Sequence, residues 1–241
     1  MSAQGEGSME LRKVHAIKIS DIIFEQLKEA IILKELLPEQ QLPPENELAK
    51  IFETSRMTVR QALARLKEQG FIVQKVGTKG GTFVQPVTLY SHMRSPEELR
   101  QKWPKLREVF EYRALIEPEA AAYAAKRMTD VELACLHDVI VRSEEPDLPR
   151  ELFRAYDVKI HLAIARGAGN SYIEQAVRKI RTEINPALDL MPYDEETRQR
   201  NSETHRKLYD ALVKRDPVLA KELMQEHIVS AAQRIYEKLF S

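Results

Sequence analysis

The spacing of apolar residues changes at Gly70, and this change is the strongest constraint on the fold. Before Gly70, apolar residues recur every three or four positions in 19–33, 45–52 and 56–69, as in amphipathic helices. After it, two short runs rich in β-branched and aromatic residues, FIVQKV and GTFVQP, flank the glycine-rich stretch GTKGG, which predicts a β-hairpin. The order of three helices and a hairpin predicts a small α/β domain of the winged helix-turn-helix type.

The rest of the chain has helical periodicity throughout. The helical segments, separated by proline, glycine or capping residues, are 106–127, 130–143, 149–166, 171–190, 195–215 and 217–239. They predict an all-α bundle of about six or seven helices, so the fold class is mostly α. The predicted divisions are a disordered tail at 1–9, the winged domain at 10–86, a linker at 87–104 and the bundle at 105–241.

Charge is segregated along a chain that is neutral overall. The 241 residues include 37 basic and 37 acidic ones, yet positions 55–85 hold six basic residues and one acidic residue. Affinity for nucleic acid therefore has to come from this one segment. The single cysteine, Cys135, excludes an intrachain disulfide. Because no apolar run approaches the roughly 18 residues of a membrane span, we expect a cytoplasmic protein with no membrane partner.

Three polar side chains, Arg56, Thr58 and Arg60, cluster at the start of the third predicted helix. Ser55 precedes them and can cap the helix through its hydroxyl. A helix-turn-helix protein reads bases in the major groove with the beginning of its second helix, and an arginine can bond a guanine with two hydrogen bonds. This pattern favours DNA binding. An arginine that is merely solvated, or a winged helix that binds another protein, is the alternative.

The segment 42–84, LPPENELAKIFETSRMTVRQALARLKEQGFIVQKVGTKGGTFV, resembles the winged helix-turn-helix signature of the GntR family of bacterial transcription regulators. The resemblance implies contacts to double-stranded DNA from Arg56, Thr58 and Arg60, and from Gly77 in the wing. Many relatives carry arginine at the position of Asn46, so one phosphate or base contact is expected to be missing here. A two-fold symmetric homodimer on a palindromic operator is the expected assembly.

A polar cluster is predicted inside the bundle. Asp157 and His161 are four residues apart and share a helix face that is otherwise apolar. His205 and His227 lie on the apolar stripes of the last two helices. One carboxylate and three imidazoles can bind a divalent transition metal in a helical bundle. The alternative is that each histidine is a core residue bonded to a carbonyl and that Asp157 pairs with an arginine.

The bundle resembles the FCD ligand-binding domain of the FadR branch of the GntR family. The resemblance rests on REVFEYRALIEPEAAAYAA, IHLAIARGAGNSYI, ETHRKLYDALVKRD and EHI. It implies a metal held by the Asp157, His161, His205 and His227 side chains, with zinc expected first and nickel, manganese or iron as alternatives. It also implies a small organic acid effector beside the metal, with Arg113 holding the acid's carboxylate. Asn170 is a weaker effector candidate. The alternatives are a salt bridge for Arg113 and a helix cap for Asn170.

These observations lead to one main hypothesis about function. We expect a metabolite-responsive DNA-binding transcription regulator, with a repressor as the first expectation, and not an enzyme. The competing hypothesis is a helical metalloenzyme whose winged domain is a docking module, because a metal with an open position can activate water. The third hypothesis is a bundle that holds no metal and binds an acid or only dimerises.

Overall fold

The computed structural model describes residues 16–77, 80–86, 96–189 and 193–240 and is mostly helical. The amino-terminal domain confirms the predicted order of three helices and a hairpin. Its elements are α1 (Ile19–Ile32), α2 (Glu45–Ile51), α3 (Arg56–Glu68), β1 (Ile72–Lys75) and β2 (Gly81–Val84).

The core of this domain forms between α1, α3 and the hairpin. Phe24 on α1 and Val59 and Leu66 on α3 are buried in one apolar cluster with residues of both strands. The strands are antiparallel, with Ile72 opposite Val84. This packing leaves the first turn of α3 exposed, because the inward side chains of the helix begin at Val59.

The proline-rich stretch before α2 extends the hairpin by a short third segment. The amide of Leu42 donates to the carbonyl of Thr82, and Gln41 forms a β-bridge with Phe83. The sequence suggested only a break in the helix here, since Pro38, Pro43 and Pro44 prevent helix continuation. The pairing holds the base of the wing against the rest of the domain.

The carboxy-terminal domain is a bundle of six helices within the described residues. They are α4 (Pro96–Arg127), α5 (Asp130–Ser143), α6 (Arg150–Gly167), α7 (Ser171–Leu188), α8 (Glu195–Val213) and α9 (Pro217–Phe240). None of the helices in the described ranges is long and apolar enough to cross a bilayer.

The first helix of the bundle begins ten residues earlier than the sequence predicts. Residues 96–104, expected to be linker, belong to α4, although Pro104 lies inside it. Leu99 is fully buried, and the Trp103 ring packs against Phe110 and against Tyr236 at the end of α9. This tertiary packing stabilises a turn that a proline disfavours in isolation. The rest of the predicted linker and the predicted tail lie outside the described residues.

The two domains are in contact through the end of α1. Leu33 is 1% exposed and packs in one apolar cluster with Val158 and Leu162 of α6 and Val177 of α7. The next residue, Lys34, extends its side chain into the bundle. A residue of the winged domain is therefore part of the wall of the carboxy-terminal domain.

Candidate functional site

Three helices bring the predicted polar cluster together in the bundle interior. Asp157 and His161 face inward from α6, His205 from α8 and His227 from α9, and all four are buried. One ligand atom from each lies within 4.8 Å of the others. The spacing of four residues on α6 puts its pair on one face, and only the packing of the three helices supplies the other two imidazoles.

The shortest distances in the cluster approach those around a shared metal ion, while the whole set of ligand atoms spans up to 4.8 Å. Ligand atoms that are each about 2.1 Å from one zinc ion lie roughly 3–3.5 Å apart. His161 Nε2 is 3.3 Å from His227 Nε2, and Asp157 Oδ1 is 3.7 Å from His205 Nε2. His205 Nε2 is buried and has no hydrogen-bond partner among the described residues. A buried nitrogen without a partner is costly, and a metal at the centre of the cluster would satisfy it.

The three imidazoles are kept neutral by their surroundings. Burial lowers the pKa of His205 to about 4, even though Asp157 opposes the change. Burial also lowers the pKa of His161, and the pKa of His227 lies well below its usual value for the same reason, reinforced by the other two histidines. Neutral imidazoles have the free lone pair that metal coordination requires.

Glu117 on α4 orients one of these imidazoles. His161 Nδ1 is 2.5 Å from Glu117 Oε2 in a fully buried pair. Burial alone would raise the pKa of Glu117, but Arg113 and His161 lower it, so the carboxylate is charged. A charged carboxylate accepts the Nδ1 proton, which leaves His161 Nε2 as the coordinating atom. This is the second layer of contacts commonly seen behind metal-bound histidines.

Asp157 has the cationic partners that its buried position demands. Arg181 of α7 donates to Asp157 Oδ2, and Arg154 Nη1 lies 3.4 Å from the same oxygen. Burial would raise the pKa of Asp157, but these two guanidinium groups hold it well below the usual range. The other oxygen, Oδ1, faces His161 and His205. One oxygen is thus paired with arginine and the other is directed at the candidate metal.

Arg113 forms the salt bridge that was the alternative role considered from the sequence. It is 1% exposed, and its Nε donates to Glu117 Oε1 at 2.7 Å within α4. Its Nη1 is buried without a hydrogen-bond partner among the described residues, as are Arg154 Nη2 and Arg181 Nε. Arg113, Arg154 and Arg181 all line a cavity beside Asp157 and His227. Buried guanidinium nitrogens without partners are suited to an anion.

Asn170 does not belong to this site, which corrects the sequence interpretation. Its side chain is exposed and accepts a hydrogen bond from the amide of Tyr172 at 3.0 Å, so it caps α7. His137 packs against the Tyr209 ring and is exposed, so it lies apart from the cluster. The remaining two histidines, at positions 15 and 92, lie outside the described residues.

The first turn of α3 presents the predicted DNA-contacting residues to solvent. Ser55 caps α3 by accepting from the Thr58 amide at 3.1 Å, and the two hydroxyls are 2.8 Å apart. Arg56 and Arg60 are exposed, and Arg60 forms two-point hydrogen bonds with Glu45 of α2. Binding of DNA through Arg60 would require it to exchange this carboxylate for a base or a phosphate.

The wing begins at a glycine that other residues would not replace easily. Gly77 has a φ of 116°, which L-residues rarely adopt, and a side-chain Cβ added there would meet no atom within 4 Å. The residue is therefore open to its surroundings, as a close approach to DNA requires. The two residues that follow it lie outside the described ranges.

Five charged residues of the site were missed by the sequence interpretation. They are Glu117, Arg150, Arg154, Arg181 and Arg234. A signal was present for two of them. Glu117 follows Arg113 by one helical turn on an inward stripe, and Arg181 lies between Val177 and Ile184 on an apolar stripe. A charged residue on a buried face usually has a partner or a ligand.

Together, a winged helix-turn-helix with an exposed first turn on α3 and a helical bundle with an internal histidine cluster define a two-domain transcription regulator. Residues 19–84 match the bacterial regulatory proteins of the gntR family, and residues 108–230 match the FCD domain. The chain belongs to the GntR family and carries an FCD domain.

Proteins of this class are similar over nearly the whole chain. The HTH-type transcriptional regulator YcbG of Bacillus subtilis (strain 168) is 27% identical over 96% of each chain. The HTH-type transcriptional repressor NanR of Citrobacter rodentium (strain ICC168) is 27% identical over 93% of this chain and 88% of its own. The structure of McbR/YncC of E. coli has the same fold, with a TM-score of 0.56, 20% identity and coverage of 92% and 99%. YcbG and NanR are both named as transcription regulators.

Proposed function

We propose that this protein is a homodimeric repressor whose bundle binds a divalent metal and a small organic acid, and that the acid changes its affinity for a palindromic operator. The observation that carries the proposal is the juxtaposition of the four potential metal ligands with three arginines that have unpartnered nitrogens. The gntR and FCD matches support the DNA-binding half.

The DNA-binding residues are Arg56, Thr58 and Arg60, with Gly77 in the wing. The side chain of Arg60 is 56% exposed and that of Arg56 is 60% exposed. Both project from the end of α3 that enters the major groove in helix-turn-helix proteins. Glu45 lies close to both arginines in the free protein, so it competes with DNA for them. A two-fold dimer would place two such helices on the two halves of a palindrome.

The metal would be held by Asp157, His161, His205 and His227. Three imidazoles and one carboxylate suit zinc, nickel, iron or manganese, with zinc as our first choice. Neutral histidines and a charged aspartate match the protonation states that coordination requires. Once bound, a metal supplies a positive centre with open positions for an oxygen of the acid.

The acid would bind on the side of the cluster where the arginines lie. Arg113 Nη1, Arg154 Nη2 and Arg181 Nε are buried and lack hydrogen-bond partners within the described part of the chain. Guanidinium groups bind carboxylates strongly because their planar nitrogens match the two oxygens. A purely structural role for these arginines, in which they neutralise Asp157 and Glu117, would use only some of their nitrogens.

A chain of ion pairs connects this site to the winged domain. Arg154 reaches Asp157 with Nη1, and its Nε donates to Asp189 Oδ1 at 3.1 Å. Lys34, at the end of α1, donates to Asp189 Oδ2 at 3.2 Å. An acid that engages Arg154 would change how firmly Asp189 and Lys34 are held. The acid would bind with different affinity to the DNA-bound and the DNA-free arrangements of the protein. It would therefore shift the equilibrium between them and alter the placement of the winged domains on DNA.

The test measures binding of the purified dimer to a randomised duplex library, with and without metal and candidate acids. Enrichment of a palindrome, with affinity that falls steeply as salt rises, is the expected result. An acid that binds the metal-loaded protein should then shift the operator affinity. If no sequence is enriched under any of these conditions, the operator-binding proposal is wrong.

A further inference from the structure

The cavity beside the metal cluster is rich in positive charge. One carboxylate, Asp157, lines it together with five arginines. These are Arg113, Arg150, Arg154, Arg181 and Arg234. Two further carboxylates lie behind the cavity wall: Glu117 accepts a hydrogen bond from Arg113, and Asp189 accepts one from Arg154. Arg113, Arg154 and Arg181 each keep a buried nitrogen without a hydrogen-bond partner among the described residues, so this wall can accept hydrogen-bonding groups of an anion.

The cavity beside Asp157 is narrow, with about 30 Å³ of space for the centre of a water-sized sphere. A neighbouring cavity of about 120 Å³ shares three of its wall residues, Asn201, His227 and Arg234. An acid whose carboxylate enters the first cavity therefore has more room for its chain in the direction of the second.

The second cavity is polar and is lined by charged groups of both signs. Three cations line it, Arg200, Lys207 and Arg234, with one carboxylate, Glu226, and Arg200 also pairs with Glu196 outside the wall. Thr204 and Ser230 add hydroxyl groups to the wall. Such a lining suits a second charged group better than an alkyl chain, because an alkyl chain would displace water from polar side chains without replacing their hydrogen bonds.

Arg234 lies where the two cavities meet. Its Nη1 donates to Ser230 Oγ one turn earlier on α9, and its Nε is buried with no hydrogen-bond partner among the described residues. Burial, with Arg200 nearby, lowers its pKa, although Glu237 opposes the change. An anion at this position would supply the missing partner.

We propose that the effector carries two anionic groups on a short chain, one held by Arg113, Arg154 and Arg181 beside the metal and the other by Arg234. This inference rests on the proposed function, because it assigns the chemical class of the acid that binds at that site. Arg234 is then the residue that selects a dianion over a monoanion.

The experiment compares matched acids by calorimetry on the zinc-loaded full-length protein. The dianions are malonate, succinate, glutarate and adipate, and each is paired with the straight-chain monoacid of equal carbon number. This range covers different separations between the two groups. We expect at least one dianion to bind more than about tenfold more tightly than its monoacid, as a charged hydrogen bond implies. Equal affinities within every pair would overturn the inference.

Variants of Arg234 show whether this residue makes the distinction. Arg234→Gln should remove most of the preference for the dianion by weakening the binding of the dianion. Arg234→Lys should restore part of this preference because it returns the positive charge. Arg206→Gln is the matched control, since Arg206 lies on α8 and pairs with Glu144 away from both cavities. Thermal unfolding verifies that each variant is folded.

The outcomes separate the inference from the proposed function. If monoacids and dianions bind the wild type equally, or if Arg234→Gln weakens both to the same extent, the acid site stands and its dianion specificity is wrong. If neither class of acid binds the zinc-loaded protein, the acid-binding part of the proposed function fails and the inference fails with it.

Discussion

Lys34 Nζ lies 3.2 Å from Asp189 Oδ2, and this buried ion pair joins the winged domain to the helical bundle. The lysine side chain is 1% exposed and that of the aspartate 8%. Asp189 also accepts from Arg154, the arginine that contacts the candidate metal ligand Asp157. The pair therefore connects the winged domain, through Arg154, to the buried histidine cluster of the bundle.

Replacement of Lys34 should uncouple the effector from DNA. In Lys34→Met the aspartate keeps Arg154 as a partner, so we expect the fold to persist. A typical allosteric coupling is about 5- to 150-fold in affinity, and we expect most of this response to be lost. Operator affinity measured with and without effector is the readout. Lys28→Met on α1, which removes a surface lysine paired with Glu25, is the control; a full response in Lys34→Met would contradict the coupling route.

Arg60 should contribute to operator recognition and not to folding. Arg60→Ala removes an exposed side chain whose bonded partner in the free protein is Glu45, so thermal stability should change little. We expect specific binding to weaken by about 1–3 kcal/mol, the usual value of a base contact. Lys67→Ala, at the exposed end of α3 farthest from the first turn, is the comparison. Equal losses in both variants would indicate general electrostatic attraction only.

Metal binding should stabilise the protein through His205. A ligand at 100 times its dissociation constant adds about 2.7 kcal/mol, or roughly 5–10 °C in Tm for a chain of this size. Chelation of the wild type should remove this gain, and His205→Ala should not show it when metal is added. After chelation, the wild type and His205→Ala should unfold at similar temperatures, because His205 Nε2 has no hydrogen-bond partner among the described residues. His137→Ala, at an exposed histidine, should behave as wild type. A metal-induced shift of normal size in His205→Ala would refute the ligand assignment.

Glu117 should tune the metal without binding it. Glu117→Gln retains shape and a hydrogen-bond acceptor but removes the charge that holds the His161 imidazole. Changes at such positions commonly weaken metal binding 10- to 100-fold, and competition with a chelator of known affinity measures this. The control is Glu119→Gln, two residues along α4, where the glutamate is exposed and pairs with Lys221. Unchanged affinity in Glu117→Gln would assign Glu117 a purely structural role.

The buried histidines should make the metal-free protein sensitive to acid. The pKa of His205 falls from 6.5 to about 4 on folding, mainly because of burial. Between these values the unfolded chain binds a proton that the folded protein excludes, so stability decreases as pH falls through this window and is unaffected by this group above 6.5. Denaturant unfolding of metal-free protein across the window tests this. His205→Gln should show a smaller loss, and an identical profile would argue against the shift.

The sequence by itself determined the elements and several site residues. Periods of 3.6 and two specified the helices and the hairpin, because amphipathicity is a local property of the chain. The capping role of Ser55 and the common helix face of Asp157 and His161 are local as well. For the same reason the sequence singled out the first turn of α3 as the end that carries Arg56 and Arg60.

Tertiary structure decided what depends on residues far apart in the chain. Helix α4 begins at Pro96 because Trp103 packs against Tyr236 of α9, a contact that no local pattern contains. Glu117 reaches His161 across 44 positions, and Arg181 reaches Asp157 across 24. The link from Lys34 to Asp189 spans 155 positions. Burial makes these charges consequential, because a charged group in the interior must find its partner wherever the fold places one.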